Sequence, residues 1–240
     1  MSKQKLKLNI PGSLSSITLG EYQEFLNDVE EYRGNEIELN KSLISIFCNV
    51  PRKTVELFSG SQITEVTTML YGILNKKDHK LIRISNIEDI EFGFIPDLEE
   101  ATFGEWTDID SYLGDHNQWH RLAAVLFRPT TVKRFDKKLQ EYRYDIVPYV
   151  NTKQYAEAMR LLPLDVFLGA YTFFSNIGIE LLKTIPSYLE TQIASKEVQQ
   201  LLQDLQENGD GLGFTTASLK ETLEDYKRLA MLITEKHSTG

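Results

Sequence analysis

The sequence predicts a mainly α protein with a small β element: a helical body containing two similar strand-turn-helix-helix units, plus a β-hairpin near 80–95. Three observations carry this reading. A Thr-apolar-Gly-Glu-aromatic motif occurs twice, in SITLGEY at 16–22 and EATFGEW at 100–106. Apolar residues recur at helical spacing between and after the two copies, whereas period-two alternation is concentrated near 80–95. The chain of 240 residues, 41% hydrophobic and 25% charged, has an ordinary globular composition and is read as a single domain over 1–240.

Aligned on Thr18 and Thr102, the likeness extends in both directions. Ile10-Pro11 and Leu14 correspond to Ile95-Pro96 and Leu98, and LISIFCNVP (43–51) corresponds to LAAVLFRP (122–129). The repeat units therefore span about 5–51 and 90–129. In Thr18-x-x-Glu21 and Thr102-x-x-Glu105 the hydroxyl can accept from the backbone N–H three residues on, while the Glu reaches back to the Thr N–H. That is a capping box, and the carboxylate suits the positive end of the helix dipole. Ile17 with Tyr22, and Ala101 with Trp106, stand where a hydrophobic staple forms, which predicts both aromatics to be substantially buried. The motif thus starts a helix and fixes the angle at which the chain enters it.

Between the units, 51–58 and 61–75 read as helices, with Ser61 the N-cap of the second. KLIRISNIEDIEFGFIP alternates on either side of SNIED, which predicts a hairpin over 81–94 turning in that stretch, and Lys5 to Ile10 alternates likewise as a candidate third strand. After Pro129 comes a polar, basic arm over about 130–150, then C-terminal helices over about 152–235. These comprise Thr152–Leu162, Leu164–Glu190, and a last helix to about Ile233 that follows the glycine-rich turn ENGDGLGF (207–214) and a Ser218-x-x-Glu221 box.

Composition also bounds function. The one cysteine, Cys48, sits in an apolar run and reads as a small buried hydrophobe in a chain without an intrachain disulfide. A net charge of −9 and a pI near 5.1 argue against general nucleic-acid binding and favour a protein partner. Val166 to Ile179 is uncharged but spans about 21 Å as helix, short of the roughly 30 Å of a bilayer core, so it reads as a buried helix and no membrane partner is expected. The first residues lead into no apolar signal core, which implies synthesis in the cytoplasm.

No stretch matches a phosphate loop, a dinucleotide fingerprint or a serine nucleophile elbow. His116 and His120, four apart and near Asp108, Asp110 and Asp115, could bind a divalent metal, but the chain has no HExxH arrangement. Asn208 and Asp210 lack the remaining spacing of a calcium loop. The reading is a non-enzyme with no catalytic, cofactor or metal site.

Charge segregation is the strongest signal outside the core. From Asn86 to Asp115 there are ten acids and no Lys or Arg, and from Arg128 to Arg143 six bases against two acids. Either the two segments pair within the chain, or the basic arm of one copy meets the acidic segment of the next in a head-to-tail contact that can close a ring. The second arrangement predicts an interface of Lys133, Arg134, Phe135, Lys137, Lys138, Tyr142 and Tyr144 against Glu99, Glu100, Asp108 and Asp110.

The succession FGFIPDLEEATFGEWTDIDSYL, HRLAAVLFRP, LPLDVFLGAYTFF and ENGDG resembles small proteins encoded in the head-tail gene region of tailed bacteriophages, including crAss-like and marine phages. The resemblance implies a virion or morphogenesis role and no reaction. The expected function is a structural protein of the virion, a ring-forming component of the portal, connector or tail. Its partners would be itself and other phage head or tail proteins, with no sequence-specific nucleic acid. A cytosolic tail-assembly chaperone is the alternative, and a metal-dependent hydrolase using the two histidines the remote one.

Overall fold

The computed structural model describes residues 8–77, 79–136 and 141–176. The chain divides into two compact units, Met1–Thr172 and Phe173–Gly240. Of the second, the described residues are 173–176, which are helical, with the Phe173 and Phe174 rings in an edge contact at 5.7 Å. The expected helices beyond residue 176, the glycine-rich turn and the Ser218 box lie outside the described residues, as do positions 5–7 of the candidate N-terminal strand. Residues 8–10 form no strand.

The first unit is mainly helical with one four-stranded antiparallel sheet in the order β1-β2-β3-β4. The first repeat supplies α1 (Leu19–Glu31) and α2 (Glu36–Phe47); α3 (Arg52–Val55) and α4 (Gly60–Leu74) follow. The sheet begins with β1 (Ile84–Ile87) and β2 (Ile90–Phe94). The second repeat gives α5 (Phe103–Leu113) and α6 (Trp119–Leu126), which passes without a loop into β3 (Phe127–Asp136), paired with β4 (Glu141–Ile146). The last helix of the unit, α7, starts at residue 164.

Both repeats begin with the same hydrogen-bonded box. Thr18 and Thr102 are N-caps with ψ of 156° and 158°, and each accepts from the N–H of the Glu three residues on. Each Glu returns to its Thr N–H at 2.7 Å. Thr18 further sits in a short antiparallel bridge with Pro163, in which Leu19 N–H donates to Leu162 and Leu164 N–H to Ile17. The starts of α1 and α7 are thereby joined. The repeats diverge after their second helices: α2 ends at Cys48 and Pro51 opens α3, whereas the sheet takes up the chain directly after α6.

One apolar cluster, with Phe25, Leu43, Ile44, Phe47, Leu70 and Leu164, lies among α1, α2, α4 and the start of α7. Phe92, Phe94 and Phe127, all essentially fully buried, form the inner face of the sheet, with the Phe94 and Phe127 rings 5.5 Å apart. Burying each such ring or leucine stabilises the fold by about 1.5–3 kcal/mol, so these faces fix the register of the elements that carry them. A third set of rings, Trp119 with Tyr22, Phe167 and Tyr171, links α6 to α1 and α7. On the opposite face of the sheet the Tyr144 ring lies across Gly93, where a Cβ would collide with it, and its hydroxyl is 2.8 Å from the Phe94 carbonyl.

Several expectations are corrected. The cap of α4 is Ser59, not Ser61, because Ser59-x-x-Gln62 is the stretch that completes a box. The hairpin turn is the pair Glu88-Asp89, with Glu88 in the left-handed region at φ 53°, so Asn86 and Ile87 belong to the strand. The polar arm is two strands: Val132 to Asp136 pair with Glu141 to Asp145, and aromatic and apolar residues alternate with charges along β4, whereas β3 is exposed from Thr131 to Phe135. Residues 152–162 form turns and a short 3-10 helix over Ala158–Leu161. Pro163 holds Leu162 extended and leaves too short a run to propagate an α-helix. Tyr22 is half-buried as the staple requires, but Trp106 remains 38% exposed.

Candidate interaction surface

The acidic and basic segments meet within the chain. Arg128, on β3, extends Nη2 to Glu105 Oε1 at 2.6 Å, and both side chains are buried. The other Glu105 oxygen closes the α5 capping box, so one carboxylate caps a helix and anchors a strand. The guanidinium also lies 5.5 Å above the Tyr149 ring. The Tyr149 hydroxyl in turn donates to Asp108, and burial together with that carboxylate pushes its ionisation well above the usual phenol range.

Further along β3, Lys133 Nζ is 2.5 Å from Glu91 Oε2, and Thr130 donates to the other Glu91 oxygen at 2.7 Å. The lysine and threonine hydrogen bonds hold the Glu91 carboxyl below its ordinary value. Arg134 pairs with Asp145 across the ribbon at 2.9 Å. These pairs bear on the basic side of the expected interface. Lys133 and Arg134 find acids in their own chain, and Tyr144 is buried against the sheet instead of presented outward. Phe135 is 49% exposed on the ribbon. Lys137 and Lys138, and the side chain of Tyr142, lie outside what is described.

The acidic side differs. Asp108 is occupied by Tyr149, but Glu99, Glu100 and Asp110 are exposed, and none pairs with a cation among the described residues. Beside them stand Phe103, 88% exposed, and Trp106. The sequence separates the charges correctly but does not reveal which are consumed internally. Arg128 carries the one available signal, a lone cation in the apolar run LAAVLFRP, where burial demands a partner.

The two histidines diverge. His116 Nε2 is 2.9 Å from Asn27 Oδ1, whereas His120 is buried and its Nδ1 lies 3.2 Å from Gln23 Nε2. Gln23 Nε2 also donates to the His116 carbonyl at 2.6 Å, which fixes the amide orientation and makes His120 Nδ1 an acceptor. Among the described residues no group of three or more His, Cys, Asp or Glu is placed to hold a metal ion. No described helix is long and apolar enough to cross a membrane. No family model, curated protein or solved structure matches the chain.

Proposed function

We propose that this chain is a non-enzymatic morphogenesis protein of a tailed bacteriophage that acts by holding another protein, in the manner of a cytosolic tail-assembly chaperone. The phage setting rests on the resemblance of FGFIPDLEEATFGEWTDIDSYL, HRLAAVLFRP and LPLDVFLGAYTFF. The choice between roles rests on one observation: the basic segment meets acids of its own chain at Glu105, Glu91 and Asp145, while Glu99, Glu100 and Asp110 beside the exposed Phe103 meet no cation among the described residues. A head-to-tail ring built on Lys133 and Arg134 would have to break those pairs first. A surface where acids meet no described cation and Phe103 is exposed instead suits a client that brings its own cations.

The ring component of the portal, connector or tail is the second reading, favoured by the ribbon of β3 and β4. It carries Val132 and Phe135 exposed at 44% and 49%, outside the pairing with β2. Mass spectrometry of purified virions and of infected-cell lysate separates the two. A chaperone is abundant in the lysate and missing from the particle; several copies per particle would sink that role in favour of the ring.

A further inference from the structure

A cleft of about 350 Å3 opens at the start of α5, between the turn after β2 and the segment after β4, with Asp97, Glu100, Arg128, Asp145 and Tyr149 among its walls. Its charges are unequally engaged. Arg128 is neutralised by Glu105, and Asp145 by Arg134. Asp97 accepts the Glu99 N–H at 2.9 Å through one oxygen, and neither Asp97 nor Glu100 meets a cation among the described residues. Arg128, whose side chain is 8% exposed, has a fully buried Nε–H without an acceptor among the described residues. The rim continues from Ala101 and Thr102 directly into Phe103, the most exposed of the large hydrophobic residues described.

We propose that this cleft and the Phe103 face bind a basic amphipathic segment of a partner protein. A Lys or Arg of that segment sits between Asp97 and Glu100, and its apolar neighbours pack on Phe103. The occupant is another protein and not a second copy of this chain: at a net charge of −9 two copies repel, and Lys133 and Arg134 are engaged within their own chain. An aromatic anchor with charges at its rim is also the usual composition of a binding hot spot. The inference deepens the chaperone reading and rests on it for the nature of the occupant, a protein.

The test titrates the full chain into a labelled amphipathic peptide of lysine and leucine, with lysine–serine and glutamate–leucine peptides of equal length alongside. Saturable binding of the lysine–leucine peptide alone is expected, weakening as salt rises. Phe103→Ser, and separately the double variant Asp97→Asn with Glu100→Gln, should each weaken it about tenfold. A control with the same net charge, Glu24→Gln with Glu65→Gln, should leave it unchanged. All these side chains are exposed, so the variants retain the fold, which their urea midpoints verify. Equal affinity across every variant, or equal binding of the lysine–serine peptide, would overturn the proposal. So would self-association in sedimentation that Phe103→Ser abolishes, because the surface would then belong to a second copy. Discovery of the chain in purified virions would retire the chaperone role and leave the peptide result standing, so the two failures are distinguishable.

Discussion

Glu105 and Arg128 form a buried ion pair 2.6 Å long, and the carboxylate that makes it is the one that caps α5. The corresponding Glu21 closes the α1 box and makes no ion pair with a described residue. Two residues with the same place in the repeat therefore differ in what their loss exposes.

The first prediction follows from that difference. Thr18→Ala and Thr102→Ala should each cost about 1 kcal/mol, the ordinary worth of an N-cap. Glu105→Ala should cost about 3–5 kcal/mol because it leaves the Arg128 guanidinium buried without its anion, whereas Glu21→Ala should cost no more than a cap. Replacing the pair together, Glu105→Leu with Arg128→Met, should recover most of the loss. Urea midpoints of the five variants decide it, and equal losses at Glu21 and Glu105 would contradict the argument.

The sheet offers a second test. Gly93→Ala places a methyl group against the Tyr144 ring and should destabilise by about 1–3 kcal/mol through overpacking. Tyr144→Phe keeps the ring and removes a hydroxyl that lies near the Phe94 and Arg83 carbonyls, at a cost of about 1 kcal/mol. Thermal unfolding of both variants should show the glycine change as the larger. The reverse order would mean that the ring does not lie on that face.

His120 should make stability depend on pH. Burial, reinforced by Arg160, lowers its pKa below the ordinary 6.5, and its Nδ1 already accepts from Gln23. The unfolded chain then takes up the proton first. The contribution is complete above about pH 6.5 and is lost as pH falls from there towards the lower folded value. Against it stand Glu157 and the backbone near Asn117, which favour the charged ring but are outweighed. Urea midpoints measured across this window should fall more steeply for the native chain than for His120→Gln. Parallel curves would remove His120 from the account.

Cys48 supplies a chemical prediction. It is 3% exposed and burial pushes its thiol up to about 11, so almost no thiolate exists near neutral pH. A thiol-specific disulfide reagent should react at the rate of unfolding and become fast only in denaturant. Immediate labelling of the native chain would show that the α2 terminus opens readily.

What was legible in the sequence was local. A threonine and a glutamate three apart announce a cap wherever they stand, and both boxes form as written. Ser59 carries the same signal through Gln62, which Ser61, two positions later, lacks. The strand β4 was legible in principle, since Tyr142, Tyr144 and Ile146 alternate with charges, but the lysines and arginines of β3 resemble a solvated arm. The joining of Arg128 to Glu105 and of Lys133 to Glu91 was not legible. Those partners are far apart in the chain: Lys133 meets Glu91 through the pairing of β3 with β2, and Arg128 meets Glu105 across from α5, tertiary placements that periodicity does not encode.

The bridge between Thr18 and Pro163 sets an order of events during synthesis. The Ile17 carbonyl accepts from the Leu164 N–H and the Leu19 N–H donates to Leu162, so although the capping box is local, the bridge cannot close until nearly the whole first unit has left the ribosome. Helix pairs and hairpins can form as they emerge, but closure belongs to the last part of the unit to be made. A nascent chain stopped before residue 162 would carry a complete first repeat with its leading edge unfastened, exposed to proteases for as long as translation is stalled.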